Sequence, residues 1–401
     1  MKKIWHTLLL GFLLLLPMLA ACQREPTETI TRDIISETGF AIPSGTHSIS
    51  LVFVNAGKAD CVLLLADDTL YCIDTGLDTS VEQIAYAIGC VTDVPTDAIE
   101  AVFFTHGDRD HIGGYTELSQ LFSIRQTYAP WYAEDPQVFT DLDPDVIFLR
   151  AGTSILIGDD GLYLDVLAPL SRSAEENDNS LVLRLISGET TILFTGDMRT
   201  AECAELLAAY PDGLRADIWK TPYHGRENSV TKELLTAVDP QFSFVCADRT
   251  THPDSAEASC LALLSESGEV YCTDDATLGW HVTIGADGTV TVSDLCPREP
   301  DVSLKIVDID TKKQCFTIAN PGMDADLSGC IVKIEPSESL FRIPNGTVLP
   351  SGESLTIGSR ADTAELLWQT EEKLFRKKKS DTVTVYDPTG ALLCTAESNQ
   401  K

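Results

Sequence analysis

The sequence predicts an α/β domain of two sheets packed face to face with helices outside, followed by a smaller all-β sandwich. Three observations carry this reading. Apolar runs of strand length, separated by turn residues, recur across 47–295 in two blocks, each followed by helical stretches. The run Cys296-Pro297-Arg298-Glu299-Pro300 then breaks the pattern, and beyond it only short strand-like runs remain between Gly, Pro and Asn turns. A chain of 401 residues with 44% hydrophobic content is long and apolar enough for two cores.

The start of the chain reads as a targeting segment. Lys2 and Lys3 precede an apolar run over 8–16, and Leu19-Ala20-Ala21-Cys22 has the small-residue form of a bacterial lipoprotein cleavage site. Residues 1–21 are therefore expected to be removed, with Cys22 lipidated; a plain secretory signal with an incidental cysteine is the rival reading. The apolar run is short for a membrane span, whereas two acyl chains on Cys22 would anchor the chain stably. The expected location is the extracellular face of a bacterial cell membrane, with 22–46 as a polar tether.

Within the first domain, 47–296, the elements follow from local pattern. Residues 47–54 alternate and then run apolar, a half-buried strand entering a core. The stretches 61–65 and 69–73 read as a hairpin about Asp67-Asp68. Helical spacing marks 81–88; 99–104 reads as a strand and 115–121 as a helix. Strands are expected at 154–157, 162–167, 181–186 and 191–194, then an Ala/Leu/Glu-rich helix at 201–209. Strands at 242–246 and 269–272 flank a helix around 256–264. In the second domain, 301–401, the strands expected at 302–307, 315–318, 329–334, 353–357 and 382–386 suit an immunoglobulin-like sandwich.

Charge and cysteine content narrow the function. The net charge of −32, from 61 acidic and 29 basic residues, keeps a surface protein soluble and repels polyanions. Binding that neutralises phosphates needs Lys and Arg, and the one dense basic run is Arg376-Lys377-Lys378-Lys379. Tight binding of long DNA by this chain alone is thus not expected; weak DNA binding, a small substrate or partner-held DNA stays open. The 12 cysteines show no Cys-x-x-Cys spacing, which argues against a thiolate metal site. Cys61 and Cys72 could face each other across the hairpin, or could simply be small buried strand residues.

The densest chemistry is Thr105-His106-Gly107-Asp108-Arg109-Asp110-His111-Ile112-Gly113-Gly114. His106, Asp108, Asp110 and His111 follow a strand, sit in a tight loop and lead into a helix. Imidazoles mixed with hard carboxylate oxygens suit Zn²⁺ or Mn²⁺. Split between two ions, such ligands serve in-line hydrolysis. A solvated polar loop is the bland alternative.

These residues resemble the His-x-His-x-Asp-His signature of the metallo-β-lactamase superfamily, with Asp108 in place of the second His, as in the hydrolase domain of ComEC-type competence proteins. Further blocks resemble the family's in order: Phe53-Val54-Asn55-Ala56-Gly57-Lys58-Ala59-Asp60-Cys61, Ile73-Asp74-Thr75-Gly76, Asn177-Asp178-Asn179-Ser180-Leu181-Val182-Leu183, Leu193-Phe194-Thr195-Gly196-Asp197, Pro222-Tyr223-His224-Gly225 and His252-Pro253. The resemblance implies an αββα sandwich. The second domain resembles a lamin-tail domain in Ile318-Ala319-Asn320-Pro321-Gly322, Asp326-Leu327-Ser328-Gly329, the run 349–355 and the run 381–387. That implies a binding or positioning module, without a cluster of catalytic residues, through which a protein partner could attach.

The resemblance also implies roles. His106 and Asp108 would bind a first divalent ion, Asp110 and His111 a second, Asp197 would bridge them, and His224 would complete the second site. Asn177 could add a weak amide ligand to the first site, or belong to a polar turn. Asp74 would orient a ligating histidine, and Asp60 would hold the neighbouring loop. Asp110 would orient the nucleophile, and His252 could touch a substrate phosphate or be an ordinary surface histidine. The expected function is metal-dependent phosphodiester hydrolysis. The alternatives are an esterase or phosphorylcholine-type hydrolase acting on cell-surface polymers, and a non-catalytic surface binding protein.

Overall fold

Alternation within Ile49–Val54 decides how the first sheet is buried on both faces. Ile49, Leu51 and Phe53 pack into a core shared with Leu164, Val166, Leu183, Leu185 and Phe194 of the second sheet. Val52 and Val54 point the other way, into a core with Ile84, Ile88 and Leu118 from helices. Period-two alternation thus feeds two cores from one strand. A third core lies outside the second sheet, where Leu193 and Trp219 meet Leu206, Leu234 and Leu264. Helix, sheet, sheet and helix follow one another as layers. The computed structural model describes residues 29–31, 47–92, 95–158, 161–227, 229–370, 372–376 and 379–398. Cys22, the expected signal segment, Lys377 and Lys378 lie outside the described residues.

Each large sheet has eight strands. In the first, Ile49–Val54, Val62–Ala66 and Thr69–Ile73 run antiparallel, and Ala101–Phe103, Thr127–Pro130 and Ile147–Leu149 continue in parallel. In the second, Tyr163–Ala168, Val182–Ser187 and Thr190–Phe194 are antiparallel, and Ile218–Lys220, Phe242–Val245 and Glu269–Cys272 add in parallel. Thr69–Ile73, Ala101–Phe103, Thr190–Phe194 and Ile218–Lys220 all end at one edge, so the loops that follow them converge there. Carboxyl ends of parallel strands are where open α/β sheets place their sites.

Most expected elements lie where their pattern put them. Tyr115–Leu121 is helical and Thr69–Ile73 is a strand, and Asp67 and Asp68 make the hairpin turn with φ of 48° and 65°. Several elements carried too little pattern to be read. Ile147–Leu149 and Ile218–Lys220 have three residues each, and Lys232–Val238 is a two-turn helix. Within the stretch expected to be a tether, Thr29–Thr31 adds to the second sheet as its edge strand, antiparallel to Thr153–Leu156 with Thr31 facing Thr153.

Beyond residue 300 the described residues form two four-stranded sheets and a short two-stranded one. Phe316, Ile318, Val332, Ile334, Val383 and Val385 fill a separate core between them. This part docks on the helix Val81–Val91. Tyr86 meets Tyr386 with ring centroids 5.4 Å apart, and Lys333 pairs with Glu82 at 2.8 Å. Gly89 is needed there, because a Cβ would lie 1.8 Å from the Pro388 carbonyl oxygen. The docking face runs along that helix from Glu82 to Gly89, while Gly76 and Ser80, before its N-terminus, border the convergent loops.

Candidate metal centre

Thr105 starts the metal loop and is held from below. Asp74, at φ 59°, accepts the Thr105 backbone N–H and hydroxyl, both at 2.7 Å. The same carboxylate lies 2.8 Å from His111 Nδ1. A proton on Nδ1 answers Asp74 and leaves the Nε2 lone pair for a cation. His111 Nε2 lies 3.4 Å from Asp197 Oδ2.

Asp197 and His224 arrive from the second sheet. Gly196 turns the chain at φ 47°, and a Cβ there would approach Thr105 Cβ to 2.9 Å and Ser180 Cβ to 3.0 Å. The glycine thus lets the Asp197 loop lie against the Thr105 loop. His224 follows Tyr223, and both have left-handed backbone, φ 53° and 50°. Such strain in non-glycine residues persists only where the surroundings fix it. His224 Nε2 faces Asp197 Oδ2 at 3.1 Å and Asp110 Oδ2 at 3.4 Å. Its Nδ1 faces the Cys246 carbonyl at 3.2 Å and Asp60 Oδ1 at 3.4 Å.

His106 and Asp108 lie beside this group. The His106 and His111 rings have centroids 4.1 Å apart, and His106 Nε2 is 3.5 Å from Asp108 Oδ2. The Asn177 amide reaches both, 3.3 Å from His106 Nε2 and 3.5 Å from Asp108 Oδ2. Glu176 ties this corner together, accepting the N–H of Gly107 at 2.9 Å and of Glu134 at 2.6 Å. The structure thus gathers His106, Asp108, Asp110, His111, Asn177, Asp197 and His224, with Asp74 and Asp60 behind them. His252 stands apart: its ring is half-exposed, with Nδ1 2.9 Å from Thr251 Oγ1 and 3.8 Å from Asp248 Oδ2. Cys61 and Cys72 face each other with sulfurs 3.6 Å apart, both buried. His47 pairs with Asp67 at 2.7 Å and His281 lies 3.3 Å from Ser50 Oγ, both in structural settings.

Lys220 is the residue that sequence reasoning missed. It ends a three-residue strand, is buried, and ion-pairs with Asp60. Its ammonium also donates to the Gly196 carbonyl at 2.9 Å and lies 3.7 Å from Asp197 Oδ1. A lysine inside the apolar run Ile218-Trp219-Lys220 was the available signal, since lysine is almost never buried unpaired. Burial alone would raise the Asp60 carboxyl, but Lys220, His111 and His224 hold it below the usual carboxylate range. Burial likewise opposes the charge on Asp197, which His224 and His111 restore. Burial disfavours the imidazolium forms of His111 and His224, yet the carboxylates around them, Asp197 foremost, raise both.

These shifts describe a buried anionic nest that calls for positive charge. Asp60, His111, Asp197 and His224 each bring a donor atom within 4.8 Å of the others. Asp60 Oδ1, His111 Nε2, Asp197 Oδ1 and His224 Nε2 are buried without hydrogen-bond partners. Buried polar atoms are ordinarily paired, so a convergent unpaired set of nitrogens and carboxylate oxygens fits a divalent cation. The two halves are unequal. His111, His224 and Asp197 are buried, with Asp110 beside them, whereas the first site offers one buried imidazole, the half-exposed Asp108 and an amide.

Residues 54–247 match the sequence model of the metallo-beta-lactamase superfamily and form a domain of that superfamily. A stretch of 174 residues, 41% of this chain, is 25% identical to ComE operon protein 3 of Bacillus subtilis (strain 168), covering 22% of it. A stretch of 162 residues, 39% of this chain, is 25% identical to competence protein ComA of Neisseria gonorrhoeae, again covering 22%. The chain therefore spans about a fifth of the length of these curated relatives. Among solved structures, the metallo-beta-lactamase fold protein YhfI from Bacillus subtilis covers 61% of this chain and 100% of its own, at 14% identity and TM-score 0.40. CmlA, a diiron beta-hydroxylase from Streptomyces venezuelae, covers 60% and 54%, at 13% identity and TM-score 0.39.

Proposed function

From a metallo-beta-lactamase superfamily domain at residues 54–247 we infer a metal-dependent hydrolase that cleaves phosphodiesters at the bacterial cell surface. The observation that carries this reading is the meeting of His111 Nε2 and His224 Nε2 on Asp197 Oδ2, with Asp110, His106 and Asp108 alongside. His111, His224, Asp110 and Asp197 would hold one zinc or manganese ion, and His106, Asp108 and Asn177 a weaker second. When bound, such ions supply charge stabilisation for the scissile group and lower the pKa of water towards neutrality.

The chain's own groups then do the rest. Asp110, about a quarter exposed at the open edge and 3.5 Å from Lys58 Nζ, orients the attacking water. Asp74 and Asp60 fix the histidine rings from their Nδ1 sides. Lys220 holds Asp60 and Asp197 in place. His252 stands on the loop that joins the His224 turn through the Ala256 N–H, and would contact a substrate phosphate from that side. The similarity to competence proteins supports a phosphodiester substrate, with DNA as a weakly bound candidate. The net charge of −32 favours a second reading, a surface ester or phosphorylcholine-type polymer. Cys22 would supply the lipid anchor, and the β part, lamin-tail-like in its turns, would position the enzyme or bind a protein partner.

The test is a substrate panel on metal-loaded protein: bis(p-nitrophenyl) phosphate, single-stranded DNA, p-nitrophenylphosphorylcholine and p-nitrophenyl acetate. Fastest turnover is expected on a phosphodiester and should vanish with a chelator. A preference for the acetate ester would replace this reading with an esterase.

A further inference from the structure

Two arginines stand on the rim of the metal cleft, each two residues beyond a metal-facing side chain. Arg199 follows Asp197, and Arg226 follows His224. Tyr223 lies between their loops and ties them, its N–H donating to the Gly196 carbonyl at 3.3 Å. The Arg199 and Arg226 guanidinium carbons lie 5.4 and 5.0 Å from the Tyr223 ring centroid, and Arg226 Nη1 donates to the Tyr223 hydroxyl at 3.2 Å. The ring therefore preorganises both forks through cation–π contact.

In a chain with 61 acidic and only 29 basic residues, two cations placed at the cleft mouth need a reason. Their present partners are replaceable. Arg199 pairs at 3.3 Å with Glu175, whose side chain is 67% exposed, and Arg226 pairs with Asp254, which is 44% exposed. Exposed ion pairs of this kind contribute little, and among the described residues neither guanidinium Nε has a hydrogen-bond partner. A phosphate presents two oxygens to a planar fork and binds more strongly than a solvated carboxylate. A neutral ester offers the arginines nothing comparable.

We propose that Arg199 and Arg226, seated against Tyr223, form the subsite that grips the charged oxygens of an anionic phosphoester beside the metal cleft. The proposal rests on the hydrolase reading above, and it places the preference for anionic substrate in these two residues. It also answers how so acidic a chain takes a phosphorylated ligand: the attraction is local, at the cleft mouth, while the remaining surface repels long polyanions.

The experiment compares zinc-loaded full-length protein with Arg199→Gln, Arg226→Gln, the double variant and Arg226→Lys. It reads inorganic phosphate binding by calorimetry, zinc content, and KM and kcat on bis(p-nitrophenyl) phosphate. Loss of a charge-assisted pair should weaken phosphate binding about tenfold per arginine, with KM rising in step, kcat moving far less and zinc content held. Arg226→Lys should fall between parent and Arg226→Gln. Phosphate binding by the double variant equal to the parent's overturns the proposal. So does a fall in zinc content matching the fall in phosphate binding, which would make the arginines structural. Absence of phosphodiester turnover in the parent would remove the phosphodiesterase reading, while phosphate calorimetry would still judge the subsite.

Discussion

Asp110→Ala is expected to lower turnover of a chromogenic phosphodiester by about a thousandfold or more while leaving the fold intact. Asp110 lies 3.4 Å from His224 Nε2 and 3.5 Å from Lys58 Nζ, on the exposed side of the ligand group. Its loss removes both a ligand oxygen and the group that orients water. Effects of this kind amount to several kcal/mol of barrier, and each ~1.4 kcal/mol is tenfold in rate. Burial opposes the charge on this carboxylate, but His224 and His111 hold it well below the usual range, so it is ionised at neutral pH. The check is steady-state turnover with circular dichroism on the same sample. Turnover within tenfold of the parent would remove Asp110 from the mechanism.

Lys220→Met is expected to destabilise the metal-free protein by about 3–5 kcal/mol, the usual cost of leaving one partner of a buried ion pair alone. Lys220 is the counter-ion of Asp60 and lies 3.7 Å from Asp197 Oδ1. Its removal leaves buried carboxylates facing one another across the two histidines. Burial lowers the Lys220 ammonium's affinity for its proton, but Asp60 and Asp197 more than restore it, so the residue is charged throughout the neutral range. Asp60→Asn combined with Lys220→Met should recover part of the loss, because no uncompensated carboxylate remains at that position. Chelator-treated samples unfolded in urea measure all three. A single variant as stable as the parent would mean that Lys220 is not the counter-charge of the centre.

The layered architecture and the ligand loop were legible because both rest on local pattern. Ile49–Val54 shows its period directly, and His106, Asp108, Asp110 and His111 fall within six residues after a strand, the first two in its loop and the last two in the single helical turn Arg109–Ile112. Asp197 and His224 were legible only through the order of the blocks around them, since a Gly-Asp after a strand is ordinarily a turn. Lys220 was not legible in the same way. Its partner Asp60 is far away in sequence, and the strand Ile218–Lys220 is too short to announce its burial. The motif around Asp60 predicts a loop holder. The Asp60 backbone does that, bonding Asp110 and Gly76, but its side chain also reaches His224 and Lys220. The Arg199, Tyr223 and Arg226 group depends on two loops meeting through a left-handed turn at Tyr223 and His224, which no periodicity encodes.

Metal analysis of the purified protein tests the central claim most directly. Inductively coupled plasma mass spectrometry after extensive gel filtration should find at least about one equivalent of zinc or manganese per chain, the stoichiometry of the buried site. His111→Ala with His224→Ala should lose that equivalent. A parent protein that hydrolyses phosphodiesters without bound metal, or a double variant that keeps the parent's metal content, would contradict the account.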